Sequence, residues 1–323
     1  MNVNRSQLKA ITLCYKGLQK ERIATSNRLR NFNIPDEDVA RIKELLKPAL
    51  RDIKKTIKSV EKPALGLLSA KIVLEYLERA VGEFCEQCLE NSNEILWHEW
   101  MKHVEGWGPV LATAFISTFD INKAKSPSSY WAYAGLIVKD GRAVRRKKGE
   151  KTIGNPKAKT LVFLIVDSLV KKKGGYRRLY ERFREKEESE KKRFKSIPAE
   201  DLDDYYLGWR LIDEDIILTR KNLEKIRKEY KGKTITLEVP SKVRKLRAYR
   251  KTGKVLLAHA YIVEDFFRRG VANLHYAAAY LAKKEYHEHG YIYMPVIDKP
   301  EKPDWWYELW EAYEKIKIKP VEI

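Results

Sequence analysis

The sequence predicts a mainly α-helical protein with a helical or coiled-coil arm, a helix-hairpin-helix domain that includes a small β-hairpin, and a basic helical C-terminal region. Apolar residues recur at three- and four-residue steps over long stretches, whereas runs with the two-residue alternation of strands are few and short. Two glycines one residue apart, Gly106 and Gly108, interrupt the helical pattern. The predicted domains cover residues 1–92, 93–174 and 175–323.

The arm is predicted from three helical stretches. Residues 5–30 are polar and compatible with a helix, and a break at Asn33–Pro35 precedes the second stretch, which Pro48 should kink. A third helix runs from about Ser69 towards Asn91. The second stretch carries one apolar stripe, made of Ile42, Leu45, Leu46, Ala49, Ile53, Ile57 and Val60. Such a stripe suits coiled-coil packing, and we expect a homodimer that forms through this arm.

The three cysteines do not suggest a disulfide framework, because their number is odd and the chain is long. Cys85 and Cys88 form a C-x-x-C motif within the third predicted helix. We interpret them as buried small residues rather than as metal ligands or a redox pair. The sequence predicts neither a metal site nor a cofactor.

The central motif is a helix, a glycine hairpin and a second helix. A helix predicted over residues 93–104 leads into the turn Gly106-Trp107-Gly108, and Pro109 suits the first turn of the helix that follows, residues 110–119. Glycines at this spacing allow successive backbone amides and the N-terminus of the second helix to approach a phosphate. The small residues at 112–114 allow the two helices to cross closely.

A β-hairpin and a core helix should follow. Ser126-Pro127 predicts the start of a short helix, and Asp140-Gly141 between two β-prone runs, residues 136–138 and 142–144, predicts a tight hairpin. Gly154-Asn155-Pro156 should open a strongly apolar helix whose part from Leu161 to Val170 lies in the core.

The charge balance indicates a polyanionic partner. Lys and Arg number 65 against 45 Asp and Glu, which gives a net charge of +20. A surface suited to high temperature explains many charges but not their imbalance. We therefore expect DNA as the partner, with structured RNA as an alternative. The predicted contacts are Gly106, Trp107, Gly108, Val110, Lys139, Arg142, Arg145, Arg146, Lys147, Lys148, Lys151 and Lys157.

The C-terminal region begins after Gly174, where the composition changes. The sequence predicts a highly charged helix with little apolar stripe at residues 176–195, a helix at 201–228 and a strand at 233–239. Helices should follow around residues 256–268, 271–286 and 304–313, the last of them rich in Trp. The segment from Ser241 to Lys254 has seven basic residues and no acid. Its predicted secondary nucleic-acid contacts are Lys242, Arg244, Lys245, Arg247 and Arg250.

Two other clusters have less specific chemistry. The acids between Asp201 and Asp215 suggest a Mg²⁺ site for a nuclease as an alternative, although helices with nearby cations routinely expose such acids. Trp305, Trp306 and Trp310 can stack on unpaired bases or fasten the chain to its core, and we favour the second role.

The order of several short motifs resembles a known family. Gly106-Trp107-Gly108-Pro109, Phe119-Asp120-Ile121, Tyr133-Ala134-Gly135-Leu136 and Gly154-Asn155 are similar to the C-terminal domain of insertion-sequence transposases that pair a RuvC-like domain with a serine-recombining domain, the bridge-RNA-guided recombinases. The resemblance spans Val104 to Val170, about a fifth of the chain. It implies a helix-hairpin-helix domain that binds DNA, with bent or branched DNA as the preferred target.

Two departures from that family argue against catalysis. Its nucleophilic serine follows the Gly-Leu motif, where this sequence has Lys139-Asp140-Gly141-Arg142 instead. The acidic set of a RuvC-like domain is also absent from residues 1–33. We therefore expect a non-catalytic, cytoplasmic DNA-binding protein without a membrane partner. A recombinase or nuclease with an unrecognised acidic site, and an accessory subunit of a recombination complex, are the alternatives.

Overall fold

A computed structural model of the chain describes residues 85–139, 142–143, 154–269 and 294–318, together with isolated positions between 37 and 83. The chain divides into two compact units, Met1–Phe84 and Cys85–Ile323. In the first unit every described position is helical. Most of the predicted arm, including every residue of its apolar stripe except Ala49, lies outside the described residues, and with it the predicted dimer interface.

Helices make up most of the second unit, which confirms the mainly α fold class. A π-helical turn and a 3₁₀ turn cover Leu96–Trp100 and Met101–His103. The α-helices are α1 (Pro109–Thr118), α2 (Pro127–Tyr133), α3 (Pro156–Lys171), α4 (Gly175–Glu188), α5 (Glu190–Arg193), α6 (Leu223–Glu229), α7 (Ser241–Arg269) and α8 (Asp304–Ile318). Further 3₁₀ turns lie at Ile121–Lys123, Ala199–Asp201 and Asp204–Tyr206.

The strands form two small antiparallel sheets. The first is the predicted hairpin of β1 (Val138–Lys139) and β2 (Arg142–Ala143). The second has the order β3-β6-β4-β5 and consists of β3 (Phe194–Pro198), β4 (Arg210–Leu211), β5 (Ile216–Ile217) and β6 (Thr234–Glu238). The prediction of a strand at 233–239 is confirmed by β6, which pairs with β3 from Phe194–Glu238 to Pro198–Thr234.

Helix α3 forms where the sequence predicts it. The Asn155 side chain accepts hydrogen bonds from the amides of Lys157 and Ala158, at 2.9 and 3.4 Å, and Pro156 occupies the first turn. The buried face of α3 comprises Ala158, Val162, Ile165, Val166, Leu169 and Val170. This spacing follows the helical repeat, so one face of α3 lies in the core while the other is open to solvent.

The predicted domain boundary at Gly174 does not separate two cores. Helix α4 directly follows α3, and its buried residues Tyr176, Leu179, Tyr180 and Phe183 belong to the same hydrophobic cluster as the buried face of α3. These four residues have the spacing of a helical stripe. Tyrosines supply half of the stripe and charged residues surround it, so the sequence alone predicts little apolar stripe in this helix.

A second, smaller core contradicts the helix predicted over residues 201–228. That segment instead forms 3₁₀ turns, the hairpin of β4 and β5, and the short helix α6. Its buried side chains include Tyr206, Trp209 and Leu211, which pack with Ile235 and Leu237 of β6. Short apolar runs separated by polar turns fit short strands as well as a helix, and here the sheet forms.

Helix α7 crosses the main core over 29 residues. Its second half supplies buried side chains from Val255 to Phe266, which confirms the helix predicted around residues 256–268. In α8, Trp305 and Leu309 are buried and Trp305 packs against Phe266 and Phe267, in agreement with a role in fastening the chain to its core. Within the described residues, no helix has the length and apolarity needed to cross a membrane.

The two described cysteines are not buried as predicted. Cys85 is partly exposed and Cys88 is exposed, and both are free thiols. Among the described residues from Cys85 to Glu90, Leu89 is the buried one, with 4% of its surface exposed.

Candidate nucleic-acid interface

The glycine turn before α1 packs directly on α3. Gly106 has φ +97°, and a Cβ at this position would lie 2.9 Å from Leu169 Cα. Its carbonyl oxygen accepts a hydrogen bond of 2.8 Å from Ser168 Oγ. Both the positive φ and the close approach require glycine, so the motif residue is explained by the fold itself.

Asp298 holds the same turn from a distant part of the chain. Its carboxylate accepts hydrogen bonds from the amides of Glu105, at 2.9 Å, and Gly175, at 2.7 Å. Its own amide donates to the His103 carbonyl at 3.0 Å. The amide of Glu105 therefore already has an anionic acceptor, and the amides nearest to the start of α1 are those of Gly108 and Val110.

The start of α1 is accessible. Gly108 is the N-cap residue and provides no side-chain cap, and a Cβ placed on it would meet nothing within 4 Å. Val110 is 51% exposed. Trp107, in contrast, is buried, and its ring packs edge-on against those of Trp100 and Phe115 at 6.0 and 5.5 Å. The Trp107 side chain is thus a core residue, which corrects its assignment as a surface contact.

The hairpin and the start of α3 are joined by a second pair of glycines. Strands β1 and β2 pair Lys139 with Arg142, a register that agrees with the predicted two-residue connection, although Asp140 and Gly141 lie outside the described residues. The chain returns at Gly154, which packs on Gly135, and the Asn155 amide donates to the Tyr133 carbonyl at 2.6 Å. Outside the described residues lie Arg145, Arg146, Lys147, Lys148, Lys151 and the side chains of Lys139 and Arg142.

The first turn of α3 carries cations where a helix disfavours them. Lys157 and Lys159 are exposed in this turn, which contains no acid. The N-terminus of a helix already has a partial positive charge, because its amides point outwards. The start of α3 is therefore a surface of concentrated positive charge at the base of the basic hairpin.

The two parts of the predicted site lie at opposite ends of α3. The hairpin and Lys157 are at its N-terminal end, and the glycine turn contacts Ser168 near its C-terminal end. At a rise of about 1.5 Å per residue, Lys157 and Ser168 are roughly 16 Å apart along the helix axis. The two groups of predicted contacts are therefore separate surfaces at the two ends of one helix.

The sequence also contains cations beside the glycine turn that were not assigned to the site. Lys171, Lys172 and Lys173 are exposed and follow directly after the segment that Gly106 contacts. Lys171 pairs with Asp167 at 2.6 Å, and this lysine lowers the pKa of the Asp167 carboxyl. The packing of Gly106 on Leu169 brings this run of three lysines close to the predicted phosphate-binding turn.

Of the residues that carry the family resemblance, Gly106 packs near the C-terminal end of α3, and Gly154 packs on Gly135 before its N-terminal end. No family model, curated protein or solved structure matches the chain. The relation to transposases, and the helix-hairpin-helix itself, therefore stay predictions.

Much of the second basic segment is occupied by contacts within the protein. Arg244 is buried and contacts Glu188 at 2.9 Å and Glu238 at 3.9 Å, and its guanidinium also donates to the Val239 carbonyl. Arg247 contacts Glu187 at 3.5 Å. The assignment of Arg244 as a nucleic-acid contact is thus corrected, because its charge links α4, β6 and α7. Lys242 and Lys245 are exposed.

The acids considered for a metal site are engaged separately. The Asp203 side chain accepts a hydrogen bond from the Tyr205 amide at 2.9 Å, Asp215 pairs with Arg210, and Glu214 accepts from the Tyr230 hydroxyl. Within the part of the chain that the structure describes, no group of three His, Cys, Asp or Glu residues is arranged to hold a metal ion.

Proposed function

We propose that the protein binds double-stranded DNA through its phosphate backbone and does so without cleaving it. The observation that carries this proposal is the pair of exposed lysines, Lys157 and Lys159, in the first turn of α3. Cations at the N-terminus of a helix are repelled by its partial positive charge. A phosphate bound beside them would be attracted both by the lysines and by the helix N-terminus.

The positions of the two predicted contacts favour a duplex. Roughly 16 Å of helix axis separates Lys157 from Ser168, which packs on the glycine turn. This separation is of the same order as the width of the major groove of B-DNA, about 12 Å, so the two surfaces would contact different phosphates of one duplex. The preference for bent or branched DNA and the relation to transposases are further proposals, supported by the sequence resemblance.

The β-hairpin supplies the remaining charge in this proposal. Its base is fixed by the packing of Gly154 on Gly135 and by the hydrogen bond from Asn155 to Tyr133. Basic residues continue through the segment from Arg142 to Lys151. Such contacts neutralise phosphate without reading bases, so binding should be strong, weakly sequence-selective and sensitive to salt.

The test is the binding of a fluorescent duplex at two salt concentrations. Lys157→Gln with Lys159→Gln should weaken binding about tenfold at low salt and flatten the slope of log affinity against log salt by about two. The matched control is Lys221→Gln with Lys225→Gln, which removes the same charge from two exposed positions in and next to helix α6. Equal binding by both double variants would reject the proposed surface.

The same assay distinguishes the other functions. A structured RNA that displaces the duplex at much lower concentration than unlabelled duplex would make RNA the preferred ligand. Cleavage or strand transfer on incubation with Mg²⁺ would contradict the non-catalytic proposal. Light scattering with and without DNA measures whether the bound species is the expected homodimer.

A further inference from the structure

The connection between α3 and α4 carries a run of positive charge. This run, which we call the basic junction, covers residues 171–178 and has no acid, and its five cations are Lys171, Lys172, Lys173, Arg177 and Arg178. All five are exposed. Lys171 is the last residue of α3, and the two arginines lie in the first turn of α4. The fold thus keeps the whole run at the surface, where one helix ends and the next begins.

Two cations of the basic junction already have partners. Lys171 lies 2.6 Å from Asp167, and Arg177 lies 2.5 Å from Glu181. These two acids are the nearest ones on either side of the junction in the sequence. Arg177 also donates to the Val170 carbonyl at 3.0 Å, which satisfies a backbone group at the end of α3. Contacts within the protein therefore account for these two side chains.

The other three cations are not engaged in this way. The side chains of Lys172, Lys173 and Arg178 make no ion pair or hydrogen bond in the part of the chain that the structure describes. Asp298 approaches the junction from another segment, but its carboxylate accepts a hydrogen bond from the Gly175 amide at 2.7 Å. The junction therefore presents three exposed positive charges that no described carboxylate contacts.

These three charges lie close enough together to act on one stretch of a polyanion. Lys173 and Gly175 are two residues apart, at most about 7 Å, and one helical turn of about 5 to 6 Å separates Gly175 from Arg178. Lys173 and Arg178 thus leave the backbone no more than about 13 Å apart. Duplex DNA carries one negative charge per about 1.7 Å of its axis, so a segment of this length offers several phosphates.

The basic junction adjoins the glycine turn before α1. Gly106 packs near the end of α3, where a Cβ on it would lie 2.9 Å from Leu169 Cα. Asp298 joins the turn to the junction, because its carboxylate accepts from the amides of Glu105, at 2.9 Å, and Gly175, at 2.7 Å. The junction and the turn are therefore neighbouring parts of one surface at the C-terminal end of α3.

The apolar residues of this stretch do not favour a lipid surface as the partner. Leu169, Val170, Tyr176, Leu179 and Tyr180 are all buried. Segments that bind at a membrane surface combine basic residues with apolar side chains that enter the lipid. The junction offers charge alone, and charge alone is sufficient for the phosphate backbone of a nucleic acid.

We propose that Lys172, Lys173 and Arg178 form a second contact surface for the phosphate backbone of duplex DNA. This inference rests on the proposed function, since its partner is the duplex that Lys157 and Lys159 contact at the other end of α3. From Lys157 to Lys172 the helix axis advances roughly 22 Å, the length of about six or seven base pairs of B-DNA. One duplex that lies along α3 therefore reaches both surfaces.

Binding of a fluorescent duplex to the full chain at two salt concentrations tests the second surface. Lys172→Gln with Lys173→Gln should weaken binding about tenfold at low salt and reduce the slope of log affinity against log salt by about two. The matched control is Lys191→Gln with Lys192→Gln, which removes another adjacent pair of exposed lysines, in α5, and should leave both quantities unchanged. Equal binding by the two double variants would overturn the inference.

Thermal denaturation of the same variants separates binding from a structural role. Lysines at the C-terminal end of a helix also interact favourably with its dipole. Because this effect is small at exposed positions, Lys172→Gln with Lys173→Gln should lower the Tm by a few degrees at most. A lowered Tm together with wild-type affinity for the duplex would assign the two lysines to the stability of α3 and contradict the inference.

The outcomes also separate this surface from the proposed function. If Lys157→Gln with Lys159→Gln weakens duplex binding and Lys172→Gln with Lys173→Gln does not, the second surface is wrong while the DNA-binding proposal stands. If the wild type binds no duplex, the proposed function is wrong and this inference with it. Vesicles that contain phosphatidylserine test the other partner. If Lys172→Gln with Lys173→Gln abolishes vesicle binding but leaves duplex affinity unchanged, the junction binds lipid headgroups and the inference is overturned.

Discussion

Gly154 lies directly against Gly135, so that a Cβ on residue 154 would come within 2.5 Å of the Gly135 amide nitrogen. The contact joins the end of the basic hairpin to the loop after α2, where the chain enters β1. Both glycines have positive φ, +78° and +62°. The hairpin can leave and rejoin the core at one point because neither glycine has a side chain.

Gly154→Ala should destabilise the protein strongly. Gly232 has nearly the same φ, +77°, but a Cβ there would meet nothing within 4 Å, so Gly232→Ala measures the backbone strain alone. We expect about 1 kcal/mol of destabilisation at Gly232 and about 3 kcal/mol or more at Gly154, where steric overlap adds to the strain. Urea denaturation gives both values, and equal losses would contradict the packing role of Gly154.

The sequence predicts local structure best where one residue type has a single explanation. Pro109 and Asn155 each specify a helix start, and the structure has both; the strands that flank the predicted Asp140-Gly141 turn also pair as expected. The prediction of a helix over residues 201–228 was wrong because short apolar runs fit the repeat of a helix and the two-residue repeat of a strand equally well. Strand pairing over a long sequence distance decided that case.

The candidate site was predictable only in part, because charge in a sequence does not show its partner. Arg244 looks like any other cation of its segment, but Glu188 and Glu238 approach it from other elements. Trp107 stands between two glycines of the turn but packs in the core. Lys171 lies far from the Gly106 turn in the sequence, but the packing of Gly106 on Leu169 brings the end of α3, and Lys171 with it, close to that turn.

Asp298→Ala should lower stability through two distant elements at once. Its carboxylate accepts from the amides of Glu105 and Gly175, the latter being the first residue of α4. Loss of a charged acceptor at a helix start costs about 1 to 2 kcal/mol, and the second amide adds a similar amount. Urea denaturation should show a decrease of about 2 to 4 kcal/mol in the free energy of unfolding of Asp298→Ala. The control Glu301→Ala, at an exposed position, should show little change. A loss no larger than that of Glu301→Ala would show that the two hydrogen bonds add nothing.

Glu264→Gln should change how stability depends on pH. Burial raises the pKa of the Glu264 carboxyl, against the opposing effects of Arg268 at 2.9 Å and the Tyr130 hydroxyl at 3.4 Å. The folded state therefore binds this proton more tightly than the unfolded state does. The protonated Glu264 side chain therefore contributes all of this stabilisation at pH values below the unfolded pKa, near 4.5. The stabilisation is lost as the pH rises through the folded pKa.

The Tm difference between Glu264→Gln and the wild type isolates this effect from the other carboxylates. The variant should gain Tm relative to the wild type as pH increases from 4 towards 7, because it no longer buries a charge. Tyr130→Phe keeps the carboxylate and should retain the pH dependence of the wild type. A difference that is constant with pH would mean that Glu264 has the same pKa in both states.

Alanine at the two glycines of the turn should separate folding from ligand binding. Gly106→Ala forces a Cβ to within 2.9 Å of Leu169 Cα at φ +97°, so we expect about 2 to 4 kcal/mol of destabilisation. Gly108 has φ −84° and open space beside it, so alanine should leave the Tm within a degree or two.

If a phosphate approaches the Gly108 and Val110 amides, however, the methyl group added in Gly108→Ala obstructs it. Duplex affinity of Gly108→Ala should then fall about tenfold, or about 1.4 kcal/mol, with folding intact. Wild-type affinity in this variant would show that DNA does not contact the turn, whatever the contribution of the basic hairpin.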